Sequence, residues 1–200
     1  TRILRDMHDG VGAHISAAIR QLQSGQTSND LVLLTLRDSL DQLKLSIDAM
    51  NLAPGDITAL LANVRYRLGS RFSAMHLELQ WAVEELPTLA YLDAAAMRQL
   101  QFIVFEALSN LMQHARATTL RLKAAVEPSA GDPDLSEVCV RISVNGVGFE
   151  VRGAGRRGLA TMGERARAIG ARLAISSQPG ATVVELRFPL YAPTEVPAKR

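Results

Sequence analysis

The stretch Asp6-Met7-His8-Asp9-Gly10-Val11-Gly12 decides how the N-terminal part of the chain is read. Leu4, Met7, Val11, Ile15, Ala18 and Leu22 recur around it at steps of three and four, the spacing of one buried helical stripe. A helix is therefore predicted from about residue 2 to Ser24. At about 100° per residue, His8 falls roughly 50 to 60° from the centre of that stripe and Asp9 points well away from it. The imidazole flanks the packed seam and is within reach of solvent. Gly10 and Gly12 each cost about 1 kcal/mol relative to alanine inside a helix, so keeping both beside a His-Asp pair breaks a local rule, as working sites do. A lone histidine at a helix edge is more often an ordinary surface residue, and the rest of the chain has to decide.

The 200 residues are 48% apolar, enough for a sizeable core in one larger domain plus a helical element. A net charge of +2, basic residues spread along the sequence and few aromatics argue against a nucleic-acid groove or a membrane-surface patch. Cys139 is the single cysteine, which excludes an internal disulfide and a thiolate metal cluster and fits a reducing cytosol. There is no apolar run of the roughly 18 residues that a membrane helix needs, and the opening Thr1-Arg2-Ile3-Leu4 has no signal pattern. The chain reads as a piece cut from a longer one.

Gly25-Gln26-Thr27-Ser28-Asn29-Asp30 supplies a turn and a helix cap, after which Leu33, Leu36, Leu40, Leu43, Ile47 and Met50 form a heptad seam. Two such antiparallel helices leave much of each seam wet, so pairing of two copies into a four-helix bundle, a homodimer, is expected. Asn51-Leu52-Ala53-Pro54-Gly55-Asp56 breaks the helix and places a domain boundary between residues 53 and 54. Asp56 caps a third helix through about Phe72, and Leu77, Leu79 and Trp81 alternate as a strand. A long helix from Asp93 to Ala115 turns Met97, Leu100, Val104, Ala107 and Leu111 to the core. Glu106, Asn110 and His114, four apart, project from another side, as a solvated face or a working row.

Strands are predicted at Leu120 to Ala124 and Val138 to Val144, with a polar loop from Glu127 to Ser136 between them. A glycine-rich passage follows, Asn145-Gly146-Val147-Gly148-Phe149 and then Gly153-Ala154-Gly155-Arg156-Arg157-Gly158-Leu159, before a helix from about Ala160 to Ile169. Glycines ahead of a helix N-terminus let backbone N–H groups approach an anion such as phosphate, although a surface loop has the same composition. Strands at Arg172 to Ser177 and Thr182 to Phe188 flank a turn at Gln178-Pro179-Gly180, and residues 191–200 are expected to be a disordered tail. The fold class is α+β: a helical hairpin over residues 1–53, then a sandwich of strands and helices over residues 54–190.

Taken in order, these segments resemble the motifs of bacterial sensor histidine kinases, in the branch of the nitrate sensors and DesK-like thermosensors. Arg5 to Gly12 is similar to the phosphoacceptor box, and Glu106-Ala107-Leu108-Ser109-Asn110 through His114-Ala115 to the N box. Asn145-Gly146-Val147-Gly148-Phe149 resembles most of the first glycine box, and Gly158-Leu159-Ala160-Thr161-Met162-Gly163-Glu164-Arg165-Ala166 the second. The resemblance implies a dimerisation and histidine-phosphotransfer hairpin joined to a GHKL-type ATP-binding domain. The sensory part would lie upstream, in a protein of the inner membrane whose kinase core is cytoplasmic. It implies that His8 takes the γ-phosphoryl group of ATP, Asp9 orients or deprotonates the imidazole, and Glu106 assists the transfer. Asn110 would ligate Mg²⁺, and His114 would lie near the phosphates. Gly153 to Gly158 would form a lid, with Gly153, Gly155, Arg156, Arg157, Gly158 and Leu159 at the nucleotide together with Gly146, Gly148 and Thr182. The phosphoryl group would pass to an aspartate of a response-regulator receiver domain.

Two positions depart from the family. Where relatives carry the aspartate that accepts a hydrogen bond from adenine, this chain has Val144, and no acid replaces it in register. Losing a hydrogen bond to a charged acceptor costs about 1.5 to 3 kcal/mol, roughly ten- to hundredfold in affinity. The glutamine that relatives use to place a water for dephosphorylation is replaced by Ala13, and His14 lies about 120° round the helix from His8. Two readings therefore stand: an ATP-dependent protein histidine kinase, and a degenerate dimeric scaffold or phosphotransfer module that has lost nucleotide binding. A serine kinase of the same ATPase superfamily would have no need of the His8 hairpin.

Overall fold

The structure, a computed structural model, describes residues 15, 16, 18–20, 22, 23, 28–48, 51–114, 116–129, 131–148 and 156–192. In chain order the elements are α1 (Asn29–Asp48), α2 (Ile57–Ala74), β1 (Glu78–Val83), α3 (Ala94–His114), β2 (Thr119–Pro128), β3 (Ser136–Val144), α4 (Arg156–Ala168), β4 (Arg172–Gln178) and β5 (Ala181–Pro189). The described residues between 15 and 23 are helical as well. Among the described residues no helix is long and apolar enough to cross a membrane.

Two aspartates start the helices that cover the sheet. The Asp56 carboxylate accepts from Ala59 N–H at 2.8 Å and that of Asp93 from Ala96 N–H at 2.7 Å, each satisfying an N–H that the helix leaves unpaired. Ile57, Leu60, Leu61, Val64, Leu68 and Phe72 of α2 then form one buried stripe, and Met97, Leu100, Val104, Ala107 and Leu111 of α3 another. The link from α1 is held by Gly55, whose φ of +74° favours glycine and where a Cβ would lie 2.4 Å from the Leu89 carbonyl oxygen.

The sheet runs β1-β2-β3-β5-β4, with β1 parallel to β2 and the other pairs antiparallel. α3 supplies the crossover that the parallel pair requires. Alternation turns Leu120, Leu122, Val140, Ile142, Val184 and Leu186 to the helices, where all are buried. On the opposite face Lys123, Glu127, Arg141, Glu185, Arg187, Glu137 and Arg172 form a continuous run of ion pairs over β2, β3, β5 and β4. Cys139 is buried under it, and burial pushes its thiol up to about 12.

α1 has two faces. Val32, Asp38, Ser39, Gln42 and Leu45 are buried, while Leu33, Leu36, Leu40 and Ile47 of the predicted seam are exposed in the single chain. The two sets lie roughly 140° apart round the helix at 100° per residue. The buried set docks α1 onto the sandwich: Gln101 Nε2 donates to the Leu45 carbonyl at 2.6 Å, and Arg67 holds Asp48 through two bonds of 2.5 and 2.8 Å.

Two expected boundaries need correction. β2 continues to Pro128, where a loop from Glu127 is expected, because Glu127 pairs with Lys123 and Arg141 and the ladder runs on to Pro128 opposite Ser136. α4 starts at Arg156 rather than near Ala160, so Arg156, Arg157 and Gly158 belong to a helix and not to a glycine loop. Packing on α3 outweighs the helix cost of Gly158. Residues 193–200, most of the expected tail, lie outside the described residues.

Candidate functional site

Glu106 and Asn110, one turn apart on α3, are both half-buried, and Asn110 Nδ2 donates to Glu106 Oε1 at 3.3 Å. The first turn of α4 closes over them. A Cβ built on Gly158 would lie 3.0 Å from Glu106 Oε1 and 3.9 Å from Asn110 Nδ2, so the absence of a side chain is what lets the helix come this near. The Glu106 carboxylate thus meets a helix N-terminus, where the dipole favours negative charge. The Asn110 N–H₂ group is engaged by Glu106, which leaves the amide oxygen as the hard donor atom of that side chain. Leu159 packs beside the core. Further along α4, Arg165 donates to Gln99 and stacks over Phe102, its guanidinium carbon 4.0 Å from the ring centroid, which clamps α4 to α3.

A second group lies at the end of β3. Val144 is 5% exposed, faces the helices, and has Leu120 and Thr182 as its register partners, neither of them an acid. Thr182 is fully buried with its hydroxyl 2.9 Å from that of Ser177. The following glycines brace the β4–β5 turn: Gly180 N–H donates to the Gly146 carbonyl at 2.8 Å, and Gly148, at φ +76°, has the Gln178 backbone 3.0 Å from where a Cβ would lie. Asn145 accepts from the N–H groups of Thr118 and Thr119 at 3.0 and 2.9 Å, so its amide is a strut between β3 and the start of β2.

The structure brings Glu106, Asn110 and Gly158 together and sets Val144 beside Thr182. Arg156 and Arg157 are the first two residues of α4, and His114 is the last of α3. His8, Asp9, Gly153 and Gly155 lie outside the described residues. Among the described residues no group of three or more His, Cys, Asp or Glu side chains could hold a metal ion. Sequence reasoning missed the buried bond from Ser109 to Asp38, which ties α1 to α3 one residue before Asn110. The sequence signal was faint: Val32 and Leu45 are apolar residues of α1 that lie off its seam.

No protein-family model matches the chain. It is 29% identical over 202 aligned residues to the nitrate/nitrite sensor protein NarQ of Escherichia coli K12; the match covers 93% of this chain and 34% of that protein. The chain therefore spans about a third of the length of this curated relative. Its fold is similar to that of the histidine kinase AdeS of Acinetobacter baumannii, with a TM-score of 0.54 at 12% identity over 94% of this chain and 96% of that one. It is also similar to full-length ShkA, solved in complex with AMPPNP, with a TM-score of 0.54 at 20% identity over 94% and 45% of the two chains. With its motifs in the order of the resemblance stated above, the chain is similar in sequence to a sensor protein and shares its fold with histidine kinases.

Proposed function

We propose that the chain is the kinase core of a two-component sensor of the nitrate-sensor and DesK-like branch, autophosphorylating His8 from ATP and passing the phosphoryl group to a response-regulator aspartate. Residues 1–53 would form the dimerisation and phosphotransfer hairpin and residues 54–190 the ATP-binding domain. The observation that carries this reading is the Glu106–Asn110 pair under the first turn of α4, where Gly158 makes the approach possible. A neutral ring nitrogen of His8 attacks the γ-phosphorus, ADP leaves, and Asp9 holds the imidazole in the reactive tautomer. Glu106, poised at the helix N-terminus, assists proton movement at the reacting group, and the Asn110 amide oxygen holds Mg²⁺. A bound Mg²⁺ neutralises phosphate charge. The exposed seam of α1 supports a homodimer, and likeness to a sensor protein of which the match covers 34% supports a sensory region outside this chain, which we place upstream in an inner-membrane protein.

The base end of the nucleotide fits less well. Val144 offers no acceptor to an adenine amine, and its register partners are Leu120 and Thr182. This favours a second reading, a degenerate dimeric scaffold or phosphotransfer module. Incubation with γ-labelled ATP and Mg²⁺, alongside His8→Gln and Val144→Asp, separates the two. Acid-labile label that disappears in His8→Gln supports the kinase. Label taken up by Val144→Asp alone supports the scaffold and overturns the kinase reading for this chain.

A further inference from the structure

β1 ends the sheet, and its other edge has no strand on it among the described residues. Glu78 and Glu84 N–H groups donate to the carbonyls of Thr118 and Ala124, so by alternation the backbone groups of Leu79, Trp81 and Val83 point to the open side. The half-buried side chains of the same three residues form, with α2, an apolar groove of about 670 Å³. Its α2 wall includes Gly69, where a Cβ would meet nothing within 4 Å. Packing does not demand glycine there, and glycine costs about 1 kcal/mol in a helix interior; what its absent side chain leaves is space in the groove. At the end of β1, Glu84 and Glu85 line the same groove and are exposed. On the opposite lip, the Arg65 guanidinium lies 4.8 Å from the centre of the Trp81 ring.

Free strand amides beside an apolar trough are met by an extended peptide, which adds a strand and drops alternate side chains into the trough. A lipid tail would leave those amides unpaired, and a helix cannot reach them with its own. We propose that this edge takes an extended segment of a partner protein, apolar at alternate positions and carrying a lysine or arginine at the end that meets Glu84 and Glu85. The guest's backbone pairs with Leu79, Trp81 and Val83, and its inward side chains fill the space opposite Gly69. This surface is independent of the Glu106–Asn110 site and of whether ATP binds there.

Trp81 is the only tryptophan in the chain and reports on the groove directly. A displayed library of random peptides of about ten residues, slightly longer than an average strand, is sorted on the full chain, and enriched peptides are titrated while Trp81 emission is followed. Enrichment of alternating apolar peptides with a basic end is expected, and N-methylation of the peptide amides that face β1 abolishes binding. Gly69→Gln, which fills the trough from an open position, weakens binding about tenfold or more without lowering the melting temperature. Glu84→Lys with Glu85→Lys exchanges the preferred basic end for an acidic one. The proposal is overturned if no peptide is enriched, if the enriched peptides do not alternate, or if they bind equally well to a Gly69→Gln protein that melts like the parent.

Discussion

The Ser109 hydroxyl donates a 2.9 Å hydrogen bond to Asp38, joining α3 to a helix 71 positions earlier in the chain. The other oxygen of the same carboxylate pairs with Arg71 of α2, so three helices converge on one buried charge, with Asp38 only 2% exposed. Asp41 stands 3.6 Å from the Arg71 guanidinium as a second, more distant partner.

Removing one member of such a pair leaves the other charged in a dry place, which costs about 3 to 5 kcal/mol, whereas replacing both by apolar groups is often neutral. Asp38→Ala is expected to lower the stability of the chain by about 3 kcal/mol, near the low end because Asp41 still faces Arg71. Asp38→Leu combined with Arg71→Met is expected to recover most of that loss. Urea unfolding of the three proteins checks both; a double variant as unstable as Asp38→Ala would show that geometry, not stranded charge, sets the cost.

The ion pairs on the outer sheet face give stability a pH dependence of defined sign. The hydrogen bond from Lys123, and then those from Arg141, hold the Glu127 carboxyl well below its usual range, at about 2, although burial opposes them. Glu185 is lowered too: burial raises it, but hydrogen bonds from Arg187 and Arg141 prevail. Groups depressed in the folded state bind fewer protons there than when unfolded, so stability rises with pH across that window. Urea midpoints are expected to be level above about pH 5 and to fall as pH drops toward 2, and Glu127→Gln is expected to flatten the fall. An unchanged slope in that variant would assign the pH dependence to other carboxylates.

The parts of this fold that a reader of the sequence recovers are those fixed by neighbours along the chain. Asp56 and Asp93 mark the helix starts to within a residue, because a cap and the stripe behind it are local. Leu79 and Trp81 alternate as the strand does. Glu106 and Asn110 are legible as a pair because they are one turn apart on one helix. What escapes is set by contacts between distant residues. The early start of α4 depends on Gly158 meeting Glu106, the length of β2 on Glu127 finding Arg141, and the docking of α1 on Asp38 finding Arg71 and Ser109. The heptad leucines drew attention to one face of α1, while the buried charge stands on the other.

That exposed face carries its own prediction. Leu36 and Leu40 are 43% and 49% exposed in the single chain, and burying that remaining half of each against a partner is worth about 1 kcal/mol. Leu36→Glu with Leu40→Glu is expected to convert a dimer into a monomer by light scattering. Because the docking face with Asp38 is untouched, helix content by circular dichroism should persist over the sandwich. A double variant that remains dimeric would place the dimer contact elsewhere.

Gly158 tests the site without removing any of its polar groups. In Gly158→Ala two effects on stability oppose each other: alanine favours the helix by about 1 kcal/mol, while the new methyl group crowds Glu106 Oε1, 3.0 Å from the Cβ position. The carboxylate ends a flexible side chain and can turn aside, so the melting temperature is expected to move by no more than about 4 °C. Turning aside, however, breaks the bond from Asn110 and takes Glu106 from the helix N-terminus, where it is proposed to act. Labelling of His8 is then expected to slow by about a hundredfold, within the range that a positioned acid or base contributes. Gly163→Ala is the control, since it lies on the same helix and its Cβ would meet nothing within 4 Å. If the two variants label His8 at equal rates, the close approach of α4 to Glu106 has no part in the chemistry.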